Sequence, residues 1–329
     1  MKVVFMGTPE FSVPILRALV ENGYEVAGVF TQPDKPKGRG GKVQMTPVKE
    51  YALSQNIPVF QPLKIRKDGL DDLKSLAPDL CVTAAFGQIL SQEVLDVPKI
   101  GTVNVHTSLL PRHRGAAPVQ WTVWQGETVT GVTTMFTDAG IDTGDILLQR
   151  ETPIGPEETA GELTERLSHL GGELLIETLR RIEAGDCPRQ KQDESRMTYD
   201  PKITKEMGEM DFTETTAQCV NRVRAMSPWP CGYVTTETGA LKIWKACAAQ
   251  GSGQPGTVLC ADRKKGLIVA TGDGAVELCE IQAPGAKRME AKAYLLGHTI
   301  PEGQKLSEER TPRVQRRGKT KRPPSGRQV

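Results

Sequence analysis

The chain has 329 residues, 38% hydrophobic and 25% charged, with a formal net charge of +2 at pH 7. That length predicts two domains with cores large enough to need neither disulfides nor metals, and no apolar run approaches the roughly 20 residues of a membrane span. Residues 311–329 carry seven basic side chains and no acidic one, which leaves −5 for residues 1–310 and excludes a generally cationic nucleic-acid binder.

The opening MKVVFMGTPEF reads as a strand entering a loop and not as a signal peptide. Gly7-Thr8-Pro9 breaks the strand, Ser12 is the expected N-cap, and Val13, Leu16 and Val20 follow at helical spacing up to a stop at Gly23. Strands are expected at 25–31, 79–84, 101–106, 131–136 and 146–149, and helices at 47–56, 68–76, 117–125 and 160–183. This alternation predicts a Rossmann-like, open, mostly parallel α/β sheet over residues 1–185. Residues 186–206 are polar without either hydrophobic period and read as an extended linker. From 207 to 310 one helix (214–226) precedes short strands at 231–236, 241–246, 256–261, 266–270 and 275–281, the pattern of a small OB-like β-barrel. The tail 311–329, rich in Arg, Lys, Pro and Gly, is expected to be disordered. The seven cysteines are scattered, odd in number and without CxxC spacing, which points to reduced thiols in the cytoplasm and not to a disulfide scaffold or a zinc ribbon.

Chemistry concentrates in GTVNVHTSLLPRHRGAAP, residues 101–118. Strand alternation puts Asn104 and His106 on one face, at the end of a strand where open sheets bind ligands. The second cluster runs from Asp138 to Asp145. As an EF-hand loop it fails, because Gln149 stands where the twelfth position needs glutamate. It is either a tight loop aiming one carboxylate into a pocket or an ordinary turn. Neither a GxGxxG fingerprint after the first strand nor a Walker sequence is present.

NVHTSLLPRHRGAAP followed about thirty residues later by DAGIDTGD resembles the folate-dependent formyltransferases. GTPEF, TQPDKPKGRGGK at 31–42, SPWP at 227–230 and the strand-rich second half narrow the resemblance to members whose acceptor is initiator methionyl-tRNA. The resemblance implies transfer of the formyl group of 10-formyltetrahydrofolate to the α-amino group of that tRNA, with Asn104, His106 and Asp142 as the catalytic trio. The same chemistry on a small amine, glycinamide ribonucleotide or an amino sugar, is the alternative. No metal is expected, and no covalent nucleophile is required: Asn104 and protonated His106 supply donors to the developing oxyanion while Asp142 holds the imidazolium and helps move the amine proton.

For the folate, the resemblance points to Phe86, Gly87, Gln88, Ile89 and Leu90, to Ser108, Leu109, Leu110 and Pro111, and to Ala139, Gly140 and Ile141. The basic loop with Lys35, Lys37, Arg39 and Lys42 resembles the insertion that enters the acceptor stem, and Arg39 is the choice for the deepest contact. In the second domain Arg222, Arg224, Lys242, Lys245 and Lys264 are tRNA-binding candidates, while Trp229 and Trp244 are expected to pack in its core. Nothing in the sequence requires more than a monomer.

Overall fold

The computed structural model describes residues 1–37, 42–236 and 239–306. The tip of the basic loop, with Arg39, and the tail from 311 lie outside the described residues.

Seven strands form the first sheet: β1 (Lys2–Gly7), β2 (Glu25–Phe30), β3 (Val59–Phe60), β4 (Leu80–Ala84), β5 (Gly101–His106), β6 (Val129–Phe136) and β7 (Ile146–Pro153). Their order is β7-β6-β5-β4-β1-β2-β3. The strands from β3 to β5 pair in parallel, and β6 runs antiparallel between β5 and β7. In β1, Val3, Val4, Phe5 and Met6 are all fully buried, as a central strand covered on both faces requires. Helices α1 (Ser12–Glu21), α2 (Pro47–Ser54), α3 (Leu70–Leu76), α4 (Pro118–Trp124) and α5 (Ala160–Ala184) surround the sheet. A capping box between Thr159 and Glu162 starts α5, and Gly185 in the left-handed region ends it. Close approach of α5 to the sheet depends on Gly171, where a Cβ would stand 2.9 Å from Val105 Cγ1.

Ser12 is not the N-cap, a place taken by Phe11. Its buried hydroxyl instead donates to the Ala84 carbonyl at 2.7 Å, joining α1 to the end of β4. Residues 186–206, expected as an extended linker, include a short 3-10 helix at Glu194–Arg196 and are bound to the first domain. Gln190 exchanges two backbone hydrogen bonds with Ile146, and Tyr199–Asp200 pairs in parallel with Arg114–Gly115.

The second domain comprises α6 (Thr216–Met226) and strands β8 (Gly232–Thr236), β9 (Gly239–Ala249), β10 (Val258–Asp262), β11 (Gly266–Ala270) and β12 (Ala275–Gln282). The strands pair antiparallel in the order β8-β9-β12-β11-β10, with Met289–Glu290 added on β12. Among the described residues no ladder joins β8 to β10, so the OB-like set of strands is a partly open one. One helix serves both cores: Cys219 and Val223 of α6 pack in the second domain, Ala225 and Met226 in the first.

Candidate active site

Alternation along β5 turns Val103 and Val105 into the core and leaves Asn104 and His106 on the opposite face. Asp142 reaches them by an indirect route. The antiparallel register sets Phe136 beside Val103 and Thr133 beside His106, so β6 ends near the start of β5. The following loop must therefore turn back along the face of β5, and it begins by donating Thr137 N–H to the Thr102 carbonyl at 2.7 Å. Its three aspartates divide the work. Asp138 closes the loop on itself, accepting from Gly140 N–H at 3.0 Å and Thr143 Oγ1 at 2.6 Å. Asp145 pairs with Arg189 at 3.3 Å. Asp142, at φ 54°, accepts from Gly115 N–H at 2.9 Å and holds its other oxygen 3.7 Å from His106 Nδ1.

These contacts fix the polar atoms of the trio. His106 Nε2 lies 2.9 Å from the His113 carbonyl, which can only accept, so Nε2 carries hydrogen. Nδ1 is then the nitrogen left to gain or lose a proton, and it faces Asp142. Asn104 Oδ1 accepts from Thr83 Oγ1 at 2.8 Å, which turns the amide nitrogen the other way. Asn104 Nδ2 makes no hydrogen bond among the described residues and is available as a donor.

The carbonyl that orients His106 is itself held by a buried charged group. His113 lies at φ 60°, with its N–H on Thr198 Oγ1 at 2.7 Å. Its ring nitrogens contact Asp200 at 2.7 Å and Glu127 at 3.1 Å. Burial pushes this imidazole down, but the two carboxylates outweigh it and raise its pKa. Arg114, also buried, binds Glu194 through both terminal nitrogens at 3.0 and 2.7 Å and Gln192 at 2.8 Å. The Gln192 amide donates to the carbonyls of Asp142 and Gly144, both at 2.8 Å. The segment 186–206 thus fastens the loops of His113 and Asp142 to each other. None of these supports is apparent in the sequence, because a polar stretch without period has the same signature whether solvated or bound.

The expected folate residues separate into supports and rim. Phe86 and Leu90 are buried, and the Phe86 carbonyl already accepts from Thr8 Oγ1 at 3.0 Å and Gln32 Nε2 at 3.2 Å. Gln88 bonds the Ile65 N–H at 2.7 Å and the Pro62 carbonyl at 3.0 Å, so its side chain fixes the loop. Ser108 is buried and donates to the Arg112 carbonyl at 2.8 Å, and Leu110 packs with Met135 and Ile146. Pro111 is buried after a cis peptide bond, and Leu109 is half-buried. Gly87, Ala139 and Gly140 are exposed, with Ile89 77% and Ile141 57% exposed, two large aliphatics open to a ligand. A cleft of about 500 Å³ shares the wall Leu109–His113, but none of Asn104, His106 and Asp142 lines it, so it is a neighbour of the candidate site.

The cationic candidates fare unevenly. Lys35 is exposed on a hairpin arm where Lys37 pairs with Lys42 in the backbone register. Arg222 is no surface residue: it is buried, paired with Glu214 and stacked 4.7 Å over Trp124. Arg224 donates to the carbonyls of Glu158 at 3.0 Å and Gly155 at 2.9 Å, across the domain boundary. Both arginines join α6 to the first domain, which removes them from an RNA surface. Lys242, Lys245 and Lys264 are exposed, with Lys245 3.0 Å from Glu157. Trp229 is 56% exposed, contrary to the expected core packing. Trp244 is half-buried beneath Arg288 at 5.0 Å and Lys242 at 5.7 Å.

Residues 1–179 match the family described as "Formyl transferase", and residues 202–299 match "Formyl transferase, C-terminal domain". The chain is 48% identical over 309 residues to the methionyl-tRNA formyltransferase of Geobacter sulfurreducens, covering 94% of this chain and 97% of that one. It is 46% identical over 306 residues to the enzyme of the same name from Clostridioides difficile, covering 92% and 99%. Among solved structures, HypX from Aquifex aeolicus in complex with tetrahydrofolic acid aligns with a TM-score of 0.62 at 19% identity, covering 90% of this chain and 47% of that one. WlaRD, a sugar 3N-formyl transferase, aligns with a TM-score of 0.62 at 20% identity over 88% and 98%. At those identities the structural likeness speaks for the fold.

Proposed function

The chain belongs to the formyl transferase family and within it to the methionyl-tRNA formyltransferases, and from that membership we infer that it moves the formyl group of 10-formyltetrahydrofolate onto the α-amino group of methionyl initiator tRNA. The observation that carries the chemistry is the convergence of Asn104, His106 and Asp142 on one face of β5.

The neutral amine attacks the formyl carbon, a C–N bond forms, and the carbonyl π pair moves onto oxygen. Asn104 Nδ2, freed by the Thr83 bond, donates to that oxygen, and the charge that develops there is what such a donor stabilises. His106, when it carries both ring protons, adds a positive charge beside that oxygen, with Asp142 Oδ1 3.7 Å from Nδ1 as its counter-ion. As the tetrahedral species collapses, the proton shed by the amine passes through the His106–Asp142 pair to the folate nitrogen, whose bond to carbon breaks. The reduced folate sits against the exposed loop residues Gly87, Ile89, Gly140 and Ile141, with their buried neighbours holding the loops. Exposed Lys35 with Lys37, Arg39 and Lys42 engages the tRNA from the first domain, and Lys242 and Lys245 engage it from the second.

The direct test supplies 10-formyltetrahydrofolate with methionyl initiator tRNA, glycinamide ribonucleotide or an amino sugar as acceptor. Formylmethionine on the tRNA at a kcat/KM far above that for either small amine is the expected result. Comparable turnover of a small amine would overturn the assignment of acceptor.

A further inference from the structure

We propose that Cys247, Glu277 and Cys279, on adjacent strands of the second domain, form a binding site for one zinc-like divalent cation. Among the described residues, one ligand atom from each of the three lies within 4.8 Å of the others. Strand register creates the cluster. Cys247 on β9 pairs opposite Glu277 on β12, and Cys279 follows two residues later on the same face. The thiols lie 32 residues apart in sequence, so the absence of CxxC spacing carries no information about them.

The distances suit a tetrahedral ion. Two thiolates about 2.3 Å from zinc stand roughly 3.7 Å apart, and the two sulfurs here are 3.3 Å apart. All three residues are half-buried, which leaves a fourth position open to water. Soft thiolates with one carboxylate select Zn²⁺ or Cd²⁺ over Mg²⁺ or Ca²⁺. On binding, two S–H bonds break, two metal–sulfur bonds form and two protons pass to solvent. The resulting complex carries one net negative charge. Lys292 Nζ, 3.4 Å from Glu277 Oε1, is placed to balance it.

The test uses the full chain, reduced and freed of metal by a chelator. Co²⁺ should give an intense thiolate-to-metal charge-transfer band that one equivalent of Zn²⁺ removes, and one equivalent of Zn²⁺ should survive desalting. Cys247→Ser and Cys279→Ser should each weaken retention by roughly tenfold or more, while Cys260→Ser retains the ion. Glu277→Gln should weaken it as well, and formyl transfer by the cysteine variants reports that they are folded. The proposal falls if the folded wild type shows no charge-transfer band, or if the cysteine variants retain as much zinc as it does. It also falls if the two thiols simply oxidise to a disulfide and no metal is held under reducing conditions.

Discussion

The free amide nitrogen carries the case for Asn104, because Thr83 occupies the oxygen end of the side chain. Losing one such donor costs about 3–4 kcal/mol of transition-state stabilisation. Asn104→Ala should therefore lower kcat by about 10²–10³-fold with KM for folate little changed, read from steady-state kinetics on charged tRNA. A different signature is expected of His113, which presents its carbonyl to His106. Its pKa is raised in the folded protein, so the Asp200 and Glu127 contacts stabilise the fold fully below about pH 6.5 and are lost as pH rises through the raised value. The melting temperature of the wild type should fall between about pH 6 and pH 9 by more than that of His113→Gln. An equal fall in both proteins would exclude the imidazolium. At this scale the sequence discloses Asn104 and His106 through strand alternation, and Asp142 only through the family resemblance. The His113–Asp200 contact spans 87 residues and leaves no trace in local pattern, since tertiary pairing has no period.

Elements with strong patterning are readable in advance: β1, α1 and α5 show continuous burial or helical spacing over many residues. Two-residue elements are not, and one of them is structurally decisive. The parallel pairing of Arg114–Gly115 with Tyr199–Asp200 sets the amide that Asp142 accepts from. Gly115 sits at φ +111°, and a Cβ there would be 2.5 Å from the Asp200 carbonyl oxygen. Gly115→Ala should cost about 1–3 kcal/mol in urea unfolding and depress kcat as well, because the strain falls on the loop that holds Asp142. Wild-type stability with reduced turnover would instead place Gly115 against substrate.

For the molecule as a whole, α6 is the element that packs into both domain cores. Met226 is fully buried in the first domain's core while Val223, one turn earlier, is buried in the second's. Met226→Ala should cost about 2–5 kcal/mol, and thermal unfolding followed by circular dichroism should show the two domains melting further apart than in the wild type. The proposed tRNA contacts belong to this scale too. Lys35→Gln should weaken tRNA binding and reduce the slope of log K against log salt by about 1, leaving folate affinity unchanged. Two predicted domains were legible from length and texture, whereas the burial of Arg222 and the contacts of half-buried Arg224 across the boundary were not. A basic residue on a helix reads as solvent-facing until a partner's carboxylate or carbonyls are known to lie across from it.

The boundary near residue 185 marks a change in texture but not a place where the enzyme divides. Gln192, Thr198 and Asp200 follow it, and they brace Asp142, His113 and Gly115. A fragment ending there would keep its sheet and lose the brace, so it should bind folate loosely and turn over poorly. Any load that tRNA places on the second half would be transmitted to the reacting groups through the same strap, giving the acceptor a mechanical grip on the chemistry it undergoes.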